Sequence, residues 1–140
     1  MNVDSIQNGI VIDHIKAGMG MRLYELLHLS ELHAPVAIML GVSSGKLGHK
    51  DIIKIDAPVE VDTDVIGFVD PGATVNVIRG GVLVEKRAIG MPEKLVGVIR
   101  CKNPRCITSC EQELEHIFRL TDREHGEYRC VYCETKADAG

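Results

Sequence analysis

The chain has 140 residues, enough for one ordinary domain or two small ones. It is 45% hydrophobic and 26% charged, the balance of a globular chain, and no apolar run approaches the ~20 residues that a bilayer crossing needs. The first residues lack the basic start and apolar stretch of a signal peptide, so a cytoplasmic protein is expected. A net charge of −4 and an aromatic content of only 4% exclude a broad polyanion-binding or membrane-binding surface and a platform of stacking rings.

Asn8-Gly9 is a turn dipeptide, and the β-branched run Ile10 to Ile15 after it predicts a strand. Met19, Leu23, Leu26 and Leu27 form one apolar stripe at i, i+4, i+7 and i+8, which predicts a helix from about Ala17 to Leu29. Pro35 resets the chain. The nearly continuous apolar run Val36 to Val42 reads as a central strand. After a turn over Ser43–Gly48, the stretch Lys50 to Ile55 alternates, with Lys50, Ile52 and Lys54 on one face and Ile53 and Ile55 on the other. A short helix is expected from Asp62, its cap, to Val69, stopped by Asp70-Pro71-Gly72. Thr74–Ile78 and Val82–Lys86 flank Arg79-Gly80-Gly81, a hairpin signal. The order strand, helix, two strands, helix, two strands predicts an α+β sandwich with helices on one face of a mainly antiparallel sheet.

All five cysteines fall between Cys101 and Cys133. They divide the chain into an α+β segment, residues 1–94 with a linker at about 88–94, and a small zinc-binding β domain, residues 95–140. Cys101-x4-Cys106 and Cys130-x2-Cys133, 23 residues apart, are two short-spaced pairs, each able to supply two thiolates from one tight turn to a tetrahedral Zn(II). A segment this short and polar cannot bury enough core unaided, so one structural zinc per chain would supply much of its folding free energy. Cys110 allows a Cys106-x3-Cys110 alternative. His116 and His125 read as solvent-facing histidines rather than ligands. A redox dithiol is the rival chemistry, disfavoured because two paired motifs exceed what one redox C-x2-C needs.

A free-standing zinc ribbon that binds nucleic acid is the second functional class. Against it stand seven basic and eight acidic side chains in residues 95–140, which lay no positive stripe along a phosphate backbone. A closed four-cysteine site has no open position for catalysis. No nucleophile with an adjacent base and no paired acid and base carboxylates stand out, so no enzyme activity is expected. Ser43-Ser44-Gly45-Lys46 lacks the phosphate-loop pattern and leads into a strand rather than a helix.

Taken together, Val11-Ile12-Asp13-His14-Ile15, the run Ser44 to Ile55, Ala73-Thr74-Val75-Asn76, Leu95 to Cys106 and Cys130-Val131-Tyr132-Cys133 resemble the regulatory chains of aspartate carbamoyltransferase over nearly the whole chain. The resemblance implies a ferredoxin-like N-terminal domain that binds ATP, CTP and UTP as allosteric effectors, and a C-terminal zinc domain that docks on the catalytic chain. It also implies a regulatory-chain homodimer. The positions matching the family's effector site are Val3, Asp4, Ile6, Val11, Asp13, His14, Lys50, Ile52, Lys54, Asn76, Ile78, Leu83 and Lys86. Those matching its zinc ligands are Cys101, Cys106, Cys130 and Cys133, which leaves Cys110 as a spare thiol. Where the relatives usually place a tyrosine near the base, this chain has Gly81. The residue types suit these roles: an acidic protein must meet a triphosphate with local cations, which Lys86 and His14 offer, while Asp13 can accept from ribose hydroxyls. Lys50 and Lys54 share a strand face with Ile52, which can pack on the nucleotide rings.

Overall fold

A computed structural model describes residues 6–45 and 48–137. Val3 and Asp4 lie outside the described residues. The chain divides into two compact units, Met1–Gly90 and Met91–Gly140.

In the first unit, strands β1 (Gly9–Lys16), β2 (Val36–Ser44), β3 (Gly48–Ile55), β4 (Thr74–Arg79) and β5 (Val82–Ala88) form one antiparallel sheet in the order β2-β3-β1-β4-β5. Helix α1 (Gly20–Leu26) follows β1 and α2 (Thr63–Val69) follows β3, giving two split β-α-β units of the ferredoxin-like kind with a fifth strand added at the edge. Strands β1 and β3 are rich in isoleucine, and Ile12, Ile15, Ile53 and Ile55 are fully buried. Alternation puts Asp51, Ile53 and Ile55 on the helix side, where α1 lies so close that a methyl group on Gly20 would meet the Asp51 side chain at 2.9 Å. The other side carries a separate apolar cluster of Ile6, Val11, Ile52 and Ile78, flanked by Met39 and Val42.

The second helix meets its sequence expectation: Asp62 caps α2 by accepting the Asp64 N–H at 3.0 Å. The glycine hairpin does too. Gly80 and Gly81 have φ of 60° and 76°, and positive φ at both central residues is what a two-residue type I′ turn demands. Two expectations need correction. The helix expected over 17–29 is shorter, because Gly18 at φ 98° delays its start and His28 at φ 54° ends it before a 3-10 turn at Leu29–Glu31. The apolar run Val36 to Val42 is an edge strand, not a central one, and its Leu40 is 57% exposed. An apolar run reports burial of faces, and says nothing of whether both strand edges are paired.

The second unit holds β6 (Lys94–Val96), a single-turn helix α3 (Ile107–Cys110), β7 (Ile117–Asp122) and β8 (Glu127–Cys130), with the strands antiparallel in the order β6-β7-β8. The segment read as a linker, 88–94, gives its first residue to β5 and its last to β6. Leu95, Phe118 and Tyr128 are the large buried side chains of this unit, joined by three of the cysteines. No helix among the described residues is long and apolar enough to cross a membrane.

Truncating the fully buried Ile53 to alanine should destabilise the first unit by about 2–5 kcal/mol in denaturant unfolding, the range for an aliphatic core residue. Val84→Ala, at a position 57% exposed on the β5 edge, should shift the same midpoint by no more than about 0.5 kcal/mol.

Candidate functional site

The second unit brings four thiols together. Cys101 and Cys106 come from the loop before α3, Cys130 from the end of β8 and Cys133 from the turn after it. Their sulfurs all lie within 4.8 Å of one another, with Cys101 and Cys133 at 3.5 Å and Cys106 and Cys130 at 3.7 Å. Four thiolates at ~2.3 Å from a tetrahedral ion stand about 3.8 Å apart, so the donor set fits a metal. Cys110 is exposed, at the end of α3, and lies outside the cluster.

The loops are built to present sulfur. Backbone N–H groups two residues on point at the sulfur of every ligand: Asn103 at Cys101, Thr108 at Cys106, Tyr132 at Cys130 and Thr135 at Cys133. The Asn103 side chain accepts from the Arg105 N–H at 3.0 Å and its carbonyl from the Cys106 N–H at 3.1 Å, which folds the first turn. Hydroxyls add a second contact, Thr108 Oγ1 at 3.0 Å from Cys106 and Thr135 Oγ1 at 3.2 Å from Cys133. These contacts split the thiols. The Thr135 hydroxyl draws Cys133 down to about 6 and the Thr108 hydroxyl lowers Cys106, whereas burial pushes Cys101 up to about 12 and also raises Cys130. Four ionised sulfurs this close need a cation among them.

Sequence reasoning missed the groups around the ligands. His116 is not solvent-facing: its Nδ1 accepts the Cys101 N–H at 2.9 Å, half-buried behind the first turn. His125 is exposed as expected, paired with Asp122 at 2.7 Å. The threonines carry a readable signal, since the second cysteine of each pair opens a Cys-x-Thr triplet, Cys106-Ile107-Thr108 and Cys133-Glu134-Thr135.

In the first unit, the sheet face opposite the helices collects most of the sequence-predicted positions. Register places Lys54 beside Val11, Val11 beside Asn76, and Asn76 beside Lys86, one row across four strands; neighbouring members are ~4.8 Å apart and point the same way. Beside that row lie Ile52, Asp13 and Thr74, and on its other side Ile78 and Leu83. Lys50 reaches Asp13 at 3.0 Å. His14 joins the same face only because β1 carries a bulge between Ile12 and Ile15, with His14 at φ 58°. There its Nδ1 lies 3.0 Å from Thr74 Oγ1.

These residues differ in how they are held. Lys86 and Leu83 are exposed, Asp13, His14, Lys50 and Asn76 are half-buried, and Val11, Ile78 and Ile6 form a buried apolar floor. Lys54 is only 4% exposed, which removes it from the class of solvated edge lysines. Asn76 Oδ1 is buried without a hydrogen-bond partner among the described residues, an acceptor facing a row that includes two lysines. Burial raises the Asp13 carboxyl, but the Lys50 ammonium and the His14 N–H outweigh it and hold Asp13 below its ordinary value. Gly81 sits in the β4-β5 turn with its N–H donated to the Gln7 carbonyl at 2.9 Å, and its positive φ would strain any larger residue there.

Residues 1–90 match the family described as aspartate carbamoyltransferase regulatory chain, allosteric domain, and residues 93–139 match aspartate carbamoyltransferase regulatory chain, metal binding domain. The chain belongs to the aspartate carbamoyltransferase regulatory chains. The curated regulatory chain from Clostridium botulinum (strain Hall) is 48% identical over 96% of this chain and 92% of its own length. That of Bifidobacterium longum is 46% identical over 98% and 99%, and that of Clostridium tetani 46% over 96% and 94%. A regulatory chain is a non-catalytic subunit. The four-cysteine cluster accordingly lies in the part that matches the metal binding domain, and the lysine row in the part that matches the allosteric domain.

Two outcomes follow for this regulatory chain. Cys106→Ser should lose the bound metal in elemental analysis and leave the second unit unfolded, while Cys110→Ser keeps the full metal content. The depressed Asp13 pKa stabilises the fold fully above the unfolded value near 3.8, and that share is lost as pH falls through the lower folded value. Lys50→Met should therefore lower the melting temperature near pH 6 and make a shrinking difference below about pH 3.

Proposed function

We propose that this regulatory chain binds ATP, CTP and UTP on the sheet face opposite its helices, and that its second unit, closed by one zinc ion, docks on the aspartate carbamoyltransferase catalytic chain. The observation that carries the nucleotide reading is the row Lys54, Val11, Asn76 and Lys86, with an unpartnered Asn76 acceptor in its middle. A buried acceptor without a donor is a standing cost that a ligand N–H or O–H removes. Lys86 and His14 face the phosphates, Asp13 takes the ribose hydroxyls, and Ile52, Ile6, Ile78 and Leu83 offer apolar surface to the base. Val3 and Asp4 join the same site by the resemblance alone. The alternating layout of ammonium groups and apolar side chains suits a molecule that carries a charged end and a flat end.

Four thiolates favour zinc over the hard cations, because sulfur is a soft donor and the set is closed and tetrahedral. Its role is structural. On the loops that hold the ligands, Ile107 is 51% exposed, Val131 42% and Tyr132 46%; exposed apolar residues on metal-fixed turns suit a rigid protein-docking surface. The exposed β5 edge, with Val82, Leu83 and Val84 more than half exposed, suits pairing with a second regulatory chain, since an unpaired apolar edge invites another strand. The assembly works in the cytoplasm.

Regulation is then linkage. Effectors that bind one quaternary state better shift the catalytic chains between low and high activity, with a coupling of about 1–3 kcal/mol. CTP favours the low-activity state and ATP the high-activity state.

The test is the aspartate saturation curve of the organism's own catalytic chain, measured with and without this chain. CTP and ATP should move the curve in opposite directions only when the regulatory chain is present. Lys86→Ala should weaken both effects by roughly tenfold in nucleotide concentration, the loss of one charge-assisted contact of about 1.5 kcal/mol. Curves that ignore nucleotides in both preparations would sink this reading.

A further inference from the structure

Asp51 is the one fully buried carboxylate among the described residues, 0% exposed, and neither the metal centre nor the lysine row uses it. It follows Lys50 on β3, so its side chain leaves the opposite face of the sheet. Its oxygens accept three backbone N–H bonds: Gly18 at 3.0 Å and Gly20 at 2.9 Å on Oδ2, and Gly41 at 2.9 Å on Oδ1. The donors lie in two places. Gly41, at φ 68°, belongs to a bulge of β2, where Met39 pairs with Ile52 but Val42 pairs with Lys50. Gly18 and Gly20 turn β1 into α1, directly after the β1 bulge that brings His14 to the ligand face.

Both neighbours of β3 are therefore bulged, β2 opposite Asp51 and β1 opposite Ile52, and one carboxylate ties the β2 bulge to the turn that follows the β1 bulge. A bulge leaves a backbone N–H outside the ladder, and a buried N–H must find an acceptor. Without the tie, the simplest relaxation of either pairing is a one-residue slip, which sends side chains to the wrong face. The contacts at stake on the ligand face are Lys50 with Asp13 and His14 with Thr74, each 3.0 Å.

We infer that Asp51 is a positioning residue for the ligand face, holding from the far side of the sheet the β2 bulge beside Lys50 and the turn that follows the β1 bulge of His14. The inference rests on reading that face as the nucleotide site. The test is calorimetric titration of the full-length protein with CTP and with ATP, at a temperature where circular dichroism shows each variant folded. Asp51→Asn keeps the shape but turns an NH2 group toward backbone donors. Gly20→Ala adds a methyl group 2.9 Å from the carboxylate oxygen. Val65→Ala, in the buried face of α2 and outside both bulges, lowers stability as a control.

Asp51→Asn should lose at least tenfold in affinity for both nucleotides and Gly20→Ala a smaller factor, while Val65→Ala stays within twofold of wild type although its melting temperature falls. The imidazole resonances of His14 should move in Asp51→Asn and stay put in Val65→Ala. If Asp51→Asn does not fold, Gly20→Ala against Val65→Ala decides. Wild-type affinity in both Asp51→Asn and Gly20→Ala, an equal loss in the control at equal stability, or unmoved His14 resonances overturns the positioning role. A wild-type protein that binds neither nucleotide overturns the functional reading instead, and the His14 resonances still judge Asp51.

Discussion

The pairing of β1 with both of its neighbours is the constraint on which the first unit depends. β1 is the central strand, and its register on β3 and β4 is what puts Lys54, Val11 and Asn76 in line. Because side chains alternate with a period of two, that single alignment decides both faces at once. Ile10, Ile12 and Ile15 enter the helix-side core, and Val11 and Asp13 turn to the opposite side. The isoleucines supply most of the free energy, about 1.5–3 kcal/mol each on full burial, and so pin the polar row in place. A site built this way rests on rigid strands, where ligand groups are held more precisely than on loops.

The second unit is organised by a different force. Its large buried side chains are few, Leu95, Phe118 and Tyr128, and the Tyr128 hydroxyl is tied to the Pro92 carbonyl at 2.6 Å. A core that small leaves the metal to hold the loops. The N–H groups, the two threonine hydroxyls and the His116 bond to the Cys101 amide orient the sulfurs around one point and share with the metal the work of holding the loops.

Several of these features were legible in the residues alone, and the reasons differ. Cysteine spacing announced a tetrathiolate cluster, because two short loops leave few other uses for four thiols, and Gly80-Gly81 announced its turn because almost nothing else tolerates two positive φ values in succession. The alternation of Lys50, Ile52 and Lys54 placed them together correctly. The edge position of β2 was hidden, since Val36 to Val42 would read the same in the middle of a sheet. The bulges were hidden as well. The β2 bulge and the turn after the β1 bulge meet at Asp51 through Gly41, Gly18 and Gly20, residues far apart in the chain, and no local pattern reports a contact of that kind. The burial of Lys54 and the orphaned Asn76 oxygen likewise depend on which strands become neighbours.

The two units differ in energy scale in a way that suits the proposed regulation. Binding of zinc to a closed thiolate site is worth on the order of 10–16 kcal/mol near neutral pH, whereas allosteric coupling is typically about 1–3 kcal/mol. On the proposed function, a docking module held together by metal–thiolate bonds is not loosened by a coupling energy several times weaker, so a regulatory signal would shift how the module sits on its partner without opening the module itself. The face proposed to bind nucleotide has the opposite requirement. Its polar contacts, Lys50 with Asp13 and His14 with Thr74, are single side-chain pairs, and an effector's own charged and hydroxyl groups can exchange with them. Strength where the chain must only hold, and exchangeable contacts where it must respond, follow from placing the charged groups on the sheet and the thiolates around the metal.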